Sequence, residues 1–258
     1  MYKGIFFCDV DGTILPHGDV AVASQFFSLV REAGDRGYLV CISSGRILET
    51  LAPLFVEVED LVVLSACNGC MILHRGALLV ENHTIEAGDI LPIADALDSW
   101  GAIPLLSTTD GLYLSAHSQH NSGSRRYARK DTTRFYETVS DIDGQVLQIT
   151  ALCSGNTEEV IAKSRASFPA AYRIATCGRE MFDICPTDKG ESLVLVRNHY
   201  GIAASRTWAF GDNENDIAML EAAGVGYLMD SAHPDLHDGR FVRCTDLVQT
   251  IRTIMGST

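Results

Sequence analysis

KGIFFCDVDGTIL, residues Lys3 to Leu15, runs from unbroken apolar side chains into two acids, Asp9 and Asp11, one residue apart. An apolar run without alternation predicts a strand buried on both faces, as in a parallel sheet covered by helices. A single Asp after a strand is commonly a turn residue or a helix cap. Two at i and i+2 point to the same side of an extended chain. Such carboxylates share either a proton or a cation. Mg²⁺ would make both tolerable, because hard cations take oxygen ligands.

Working outward, Val20 to Arg36 is predicted as a helix, with Val22, Phe26, Phe27, Leu29 and Val30 on its apolar face and Gly37 at its end. YLVCISS (38–44) predicts a second buried strand, and Gly45-Arg46 opens a helix through about Phe55. LVVLSACNG (61–69) predicts a third strand. This βαβαβ order implies a parallel sheet with right-handed crossovers. CMILHRGALLV (70–80) has the pattern of a hairpin turning at His74-Arg75-Gly76. From His83 to Cys185 the order becomes helix, strand, strand, helix, strand, helix, strand, an α+β pattern. The first style returns with a helix from Lys189 to about His199, a strand in TWAFGD (207–212) and a helix over Ile217–Ala223. A strand in GVGYLM (224–229) and a helix over Leu247–Met255 complete it. The expected organisation is an α/β core of residues 1–82 and 186–258, interrupted by an inserted module of residues 83–185.

Polar residues mark the carboxyl ends of the core strands: Asp9 and Asp11, Ser43-Ser44-Gly45, Asn68-Gly69, and Gly211-Asp212. Ligands bind at that edge of open α/β sheets. In FGDNENDIAML, Asn215 or Asp216 can cap the next helix, but capping does not account for a third acid, Asp212, on the edge that holds Asp9 and Asp11. Ser44 and Gly45 offer a hydroxyl and backbone N–H groups to an anion. Lys189, in PTDKGESL, stands at a helix start, where a cation is disfavoured unless an anion is near. Arg46 fits a surface helix position and a substrate contact equally.

The 258 residues carry a formal net charge of -13, which disfavours nucleic acid and anionic membrane as partners. An anionic substrate is compatible with this, since a local cation reverses the field in a pocket. No apolar run approaches the roughly 20 residues of a membrane helix, and no signal peptide is evident. The expectation is a cytoplasmic protein, monomeric or weakly dimeric. Eight cysteines are scattered, mostly in apolar runs. Cys67 and Cys70 form a CxxC, but no second ligand pair matches it as a zinc site requires.

DVDGT after an apolar strand, SSGR after the second strand, a lone KG far downstream, and GDNENDIAML resemble the four motifs of the haloacid dehalogenase superfamily. SACNG, the insertion after the third core strand, and GDNENDIAML resemble its Cof-type subclass IIB of sugar-phosphate phosphatases. The resemblance covers nearly the whole chain. It implies a three-layer, Rossmann-like α/β core with a parallel sheet and an inserted α+β cap of the C2B type. It also implies a Mg²⁺-dependent phosphatase of small phosphorylated metabolites, sugar phosphates foremost, working through an aspartyl-phosphate. On this resemblance Asp9 is the nucleophile. Asp11 is the general acid and base, its pKa raised for part of the cycle. Mg²⁺ is held by the Asp9 side chain, the Asp11 main-chain carbonyl and the Asp212 side chain, with Asp216 orienting bound waters. The Val10 backbone, Ser44, Gly45, Lys189 and Asn215 hold phosphate oxygens, and Arg46 joins the substrate-binding set.

The chain departs from the family pattern in two places. Ser44 stands where many relatives have Thr, and MDSAHPD (229–235) replaces a Gly-Asn-Ala turn. The inserted module would close over the site and select the substrate. Its basic stretch holds Arg125, Arg126, Arg129, Lys130 and Arg134. That stretch is either a solvated helix face or a contact for a substrate carboxylate or second phosphate. A phosphomutase using the same intermediate and a non-catalytic phosphometabolite sensor are the alternatives. Asp11 as an activator of water favours hydrolysis over the first, and the lack of a signalling module disfavours the second.

Overall fold

The computed structural model describes residues 2–120 and 133–257. Met1–Glu81 together with Asp188–Thr258 form one compact unit, and Asn82–Thr187 form a second. In chain order, the first unit begins with β1 (Gly4–Asp9), α1 (Ser24–Asp35), β2 (Tyr38–Ser43), α2 (Leu48–Leu51), β3 (Val62–Ala66), β4 (Met71–His74) and β5 (Ala77–Leu78). The second unit contributes α3 (Ala87–Ser99), β6 (Ile103–Thr108), β7 (Gly111–Ser115), β8 (Thr133–Tyr136) and β9 (Val146–Leu152). It ends with α4 (Thr157–Ser167), β10 (Arg173–Gly178) and β11 (Met181–Cys185). The chain re-enters the first unit with α5 (Lys189–His199), β12 (Thr207–Gly211), α6 (Ile217–Ala222), β13 (Val225–Met229), β14 (Val242–Cys244) and α7 (Leu247–Ser257).

The first unit holds an eight-stranded sheet in the order β14-β13-β12-β1-β2-β3-β4-β5. The six strands from β14 to β3 run parallel, and β4 and β5 add an antiparallel hairpin. Every residue of β1, β2 and β3 is buried, as continuous apolar strands covered on both faces require. Ile5, Phe7, Leu39, Cys41 and Ala209 pack on one face with Leu193 and Val196 of α5 and Met219 and Leu220 of α6. Phe6 points the other way and lies against the rings of Tyr38 and Trp208. The β4–β5 hairpin turns through Arg75 and Gly76, both at positive φ (53° and 74°), the pattern of a two-residue type I′ turn.

Two expectations in this unit need correction, and one strand was not expected. Helix α1 begins at Ser24, not Val20, since its first hydrogen bond runs from the Phe26 N–H to the Ala23 carbonyl. Val20 is exposed, and β-branched Val20 and Val22 favour the extended backbone that precedes the helix. The helix expected from Gly45 to Phe55 is only the single turn α2, followed by tight 3₁₀ turns over Ala52–Leu61. Pro53 removes a donor there, and Phe55 leaves helical geometry to bury its ring. The short edge strand β14 has no counterpart in the sequence reading.

The second unit holds a six-stranded sheet in the order β10-β11-β9-β6-β7-β8. All its pairings are antiparallel except β7 with β8. One face packs Leu106, Tyr113, Ile149, Ala151, Phe182 and Ile184 against Ile90, Ile93 and Leu97 of α3 and Val160 and Ile161 of α4. On the other face Thr150 Oγ1 donates to Asp183 Oδ1 (2.7 Å) and accepts from Gln148 Nε2 (3.1 Å). The structure adds β8, and the expected last strand is the second of an antiparallel pair, β10 and β11.

Arg125, Arg126, Arg129 and Lys130 lie outside the described residues. Arg134 is on β8 rather than on a helix, where it donates to the Tyr113 hydroxyl (2.8 Å) and pairs with Asp143 (3.3 Å). Phe182 is fully buried in the core of its unit. Phe182→Ala should therefore destabilise that unit by about 3–5 kcal/mol, read as a lowered denaturant midpoint for the transition that reports on it.

Candidate active site

The strands β3, β2, β1 and β12 are neighbours and parallel, so their carboxyl ends share one edge. Asp9 is the last residue of β1, Ser43 the last of β2 and Gly211 the last of β12. Asp212 follows β12 directly, and Asp216 ends a short 3₁₀ turn that leads into α6.

Lys189, the first residue of α5, is buried (1% exposed). Its Nζ donates to Asp9 Oδ1 and to Asp216 Oδ1, each at 2.6 Å. The anions expected beside a cation at a helix start are therefore protein carboxylates. Asp188 caps that helix, its Oδ1 accepting from the Glu191 N–H at 2.8 Å. The second oxygen of Asp216 accepts from the backbone N–H groups of Asp212 and Asn213, both at 3.0 Å. Asn213 is the N-cap of that turn, and Asp216 takes the N-cap position of α6, as expected of it, without a side-chain capping bond to the helix.

Asp9, Asp212 and Asp216 are all buried, and one oxygen of each lies within 4.8 Å of the others. Asp212 Oδ1 is buried without a hydrogen-bond partner among the described residues. Its Oδ2 lies 3.2 Å from His17 Nε2. Gly12 makes this crowding possible: its φ is +96°, and a Cβ there would collide with the Asp212 carboxylate. Three buried carboxylates against one ammonium, with an orphaned oxygen among them, form a donor set that fits a hard divalent cation.

Burial, reinforced by the negative charge of Asp216, holds the Asp9 carboxyl well above the usual carboxylate range, and Lys189 opposes that rise. Burial and Asp216 also push Asp212 up to about 6, against the pull of His17 and Lys189. For Lys189, desolvation works against the charge, but Asp216 and Asp9 outweigh it and hold the ammonium above its ordinary value.

Asp11 is farther out, with its side chain 49% exposed. The Arg46 guanidinium grips it twice, Nε to Oδ2 at 2.8 Å and Nη2 to Oδ1 at 2.6 Å. This is the bidentate geometry that makes arginine–carboxylate pairs specific. Ser44 is buried, and its Oγ accepts from the Arg46 N–H at 3.2 Å. The Ser44 carbonyl accepts from the Asn68 N–H (2.9 Å), which ties the loops after β2 and β3 together. Asn215 Nδ2 donates to Asn68 Oδ1 at 3.0 Å. The Val10 carbonyl accepts from the Leu15 N–H (2.8 Å), turning the chain back beside the edge.

Asn68 and His17 were absent from the expected set. Asn68 was visible in the sequence as a polar ending to the third strand. His17 gave no signal, because nothing in its neighbourhood points toward Asp212. Ser231, in the loop that departs from the family pattern, donates to the Gly12 carbonyl at 3.3 Å.

The family model of the haloacid dehalogenase-like hydrolases matches residues 6–238. The chain is 25% identical over 236 residues to the 5-amino-6-(5-phospho-D-ribitylamino)uracil phosphatase YitU of Bacillus subtilis, covering 86% of this chain and 84% of that protein. A putative phosphatase of Haemophilus influenzae is 24% identical over 237 residues, covering 90% and 88%. Among solved structures, SMU.1108c of Streptococcus mutans superposes with a TM-score of 0.87 at 18% identity, over 98% of this chain and 99% of that one. The subclass IIB sugar phosphatase BT4131 superposes with a TM-score of 0.80 at 19% identity, over 98% and 99%.

Two stability measurements probe this electrostatic arrangement. Lys189→Met would leave two buried carboxylates without their ammonium and should cost about 3–5 kcal/mol in urea unfolding. The second follows from Asp212, which rises from 3.8 to about 6 on folding. Between those values the folded, cation-stripped protein binds more protons than the unfolded chain, so its stability falls as pH rises through the window. In chelator, wild type should lose on the order of 2 kcal/mol more than Asp212→Asn between pH 4 and pH 7.

Proposed function

The chain belongs to the haloacid dehalogenase-like hydrolases, and from that premise we propose that it is a Mg²⁺-dependent phosphatase of small phosphorylated metabolites, with Asp9 as the nucleophile. One observation carries this reading: Lys189 bridges Asp9 and Asp216 at 2.6 Å, beside an Asp212 oxygen that is buried and unpartnered. A buried carboxylate kept in place by one ammonium, at the ligand-binding edge of a parallel sheet, suits covalent attack on phosphorus.

The Asp9 and Asp212 side chains and the Asp11 main-chain carbonyl would hold Mg²⁺, with Asp216 behind them. The ion would supply positive charge between the anionic nucleophile and the phosphoryl oxygens. In the first step an Asp9 oxygen forms a bond to phosphorus as the bond to the substrate oxygen breaks. Asp11 gives its proton to that leaving oxygen. In the second step water attacks the same phosphorus and loses a proton to Asp11. The bond to Asp9 breaks, inorganic phosphate leaves, and both acids return to their starting state. Lys189 holds Asp9 in place through both steps. Ser44, Gly45, Asn215 and the backbone after Val10 would bind phosphoryl oxygens. Arg46 has a second anion to choose in a substrate complex, and moving to it would release Asp11.

Sugar and sugar-alcohol phosphates are the proposed substrate class. The support is the relatives named as phosphatases, one of them for a phosphoribityl compound, and the likeness to a sugar phosphatase. The inserted unit, Asn82–Thr187, would act as the cap that excludes water and selects among substrates.

Asp9→Asn should keep its circular dichroism spectrum and lose aryl-phosphate hydrolysis by at least about a thousandfold. Near wild-type turnover by freshly purified Asp9→Asn enzyme would falsify the assignment. Wild type quenched in acid during turnover of a ³²P-labelled substrate should carry hydroxylamine-labile label, and Asp9→Asn should carry none.

A further inference from the structure

Three columns of side chains run up one face of the core sheet toward the first turns of α5. Ile5 and Phe7 of β1, Leu39 and Cys41 of β2 and Val63 of β3 pack there with Leu193 and Val196. Side chains alternate along a strand, so Asp9, Ser43 and Ser65 continue these columns on the same face. The strand register makes them neighbours, Asp9 beside Ser43 and Ser43 beside Ser65. Asp9 takes the Lys189 ammonium at 2.6 Å, and Ser65 Oγ meets Ser192 Oγ at 2.7 Å, one turn further along α5. Ser43, between them, is 1% exposed, and its Oγ is buried without a hydrogen-bond partner among the described residues. A buried hydroxyl with its hydrogen bond unmade costs stability. Alanine would fill the place at less cost.

We propose that Ser43 is a positioning residue for Asp9, its hydroxyl donating to the Asp9 carbonyl oxygen once that carboxyl carries the phosphoryl group. The inference rests on the reading of Asp9 as the nucleophile. As a carboxylate, Asp9 is anchored to Lys189 by charge as well as by a hydrogen bond. Phosphorylation removes its negative charge and weakens that anchor. The idle donor is then one strand spacing away, about 4.8 Å between backbones, within reach of a carboxyl that faces the same way. In the second step water forms a bond to phosphorus and gives a proton to Asp11. The phosphorus–oxygen bond to Asp9 breaks, and its electron pair returns to Asp9. Ser43 transfers no proton; it holds the plane of the Asp9 carboxyl for that departure. Its contribution falls on the second step and not on the first.

The test is rapid acid quench of the full-length protein with Mg²⁺ and a ³²P-labelled aryl phosphate, chased with unlabelled substrate. Ser43→Ala should acquire hydroxylamine-labile label at the wild-type rate and lose it about tenfold more slowly. Its kcat should fall, while kcat/KM, which ends with the first irreversible step, stays within about twofold. Its urea midpoint should equal or exceed that of wild type, because an unsatisfied hydroxyl has been removed. Ser43→Thr keeps the hydroxyl and should lose label within about threefold of the wild-type rate. Label loss at the wild-type rate in Ser43→Ala overturns the proposal, as does a fall of kcat and kcat/KM by equal factors. In either case label on wild type leaves Asp9 standing as the nucleophile and removes only Ser43. Wild type that never carries label overturns both readings.

Discussion

The Lys189 ammonium, shared between Asp9 and Asp216, is the contact on which the rest of the molecule's chemistry depends. Placing charged groups away from water costs several kcal/mol per ion unless partners compensate. Here one cation faces three buried acids, so the compensation is incomplete. Asp216 spends one oxygen on Lys189 and the other on two backbone N–H groups, leaving Asp212 under-satisfied. That deficit is what makes the edge receptive to a further cation and, through it, to an anion. The same contact fixes three elements at once, because its partners sit at the end of β1, the start of α5 and the entry to α6.

The parallel sheet supplies the rest by geometry. Strands that run the same way deliver their carboxyl ends to one edge. The loops there then need only short polar segments to converge. Gly12 lets the chain pass against Asp212, and Ser44 with Asn68 ties two neighbouring loops together. Arg46 takes the outer acid. Asp9 ends a fully buried strand, whereas Asp11 is half-exposed and held by the Arg46 guanidinium. The inner acid is buried and the outer one half-exposed, a division that suits the two roles proposed for them.

Much of this was legible in the sequence, for reasons that differ by residue. The strands β1, β2, β3 and β12 were readable because strands covered on both faces carry continuous apolar runs. Lys189 was conspicuous because a cation at a helix start is out of place without an anion, and the two acidic motifs marked Asp9, Asp11 and Asp212. The segment after Arg46 misled because its apolar spacing resembles a helix, while Pro53 and the burial of Phe55 break it into tight turns. The inserted unit was harder, since its antiparallel edge strands such as β8 are half exposed and carry little pattern. By spacing Arg46 fits the surface and the substrate equally, and its pairing with Asp11 is a third answer that spacing does not contain. His17 was silent because its partner, Asp212, lies far along the chain, and Asn68 showed only as a polar strand ending because its partner, Asn215, is equally distant.

The split of the first unit has a consequence for the order of synthesis. Asp9 leaves the ribosome 180 residues ahead of its ammonium partner, Lys189. On one side β1 can pair with β2 as soon as Ser43 is made. On the other it waits for β12, at Thr207–Gly211, after the entire second unit. Until β12 is made the central strand therefore has a bare edge, and its terminal acid has neither counter-charge nor fellow acids. Long-range parallel pairings of this kind form late and leave strand edges open to wrong partners. The second unit, contiguous in sequence, can complete its own sheet in that interval. The acidic cluster itself cannot exist before residue 216 has emerged, so a nascent chain carries Asp9 long before the cluster around it can form.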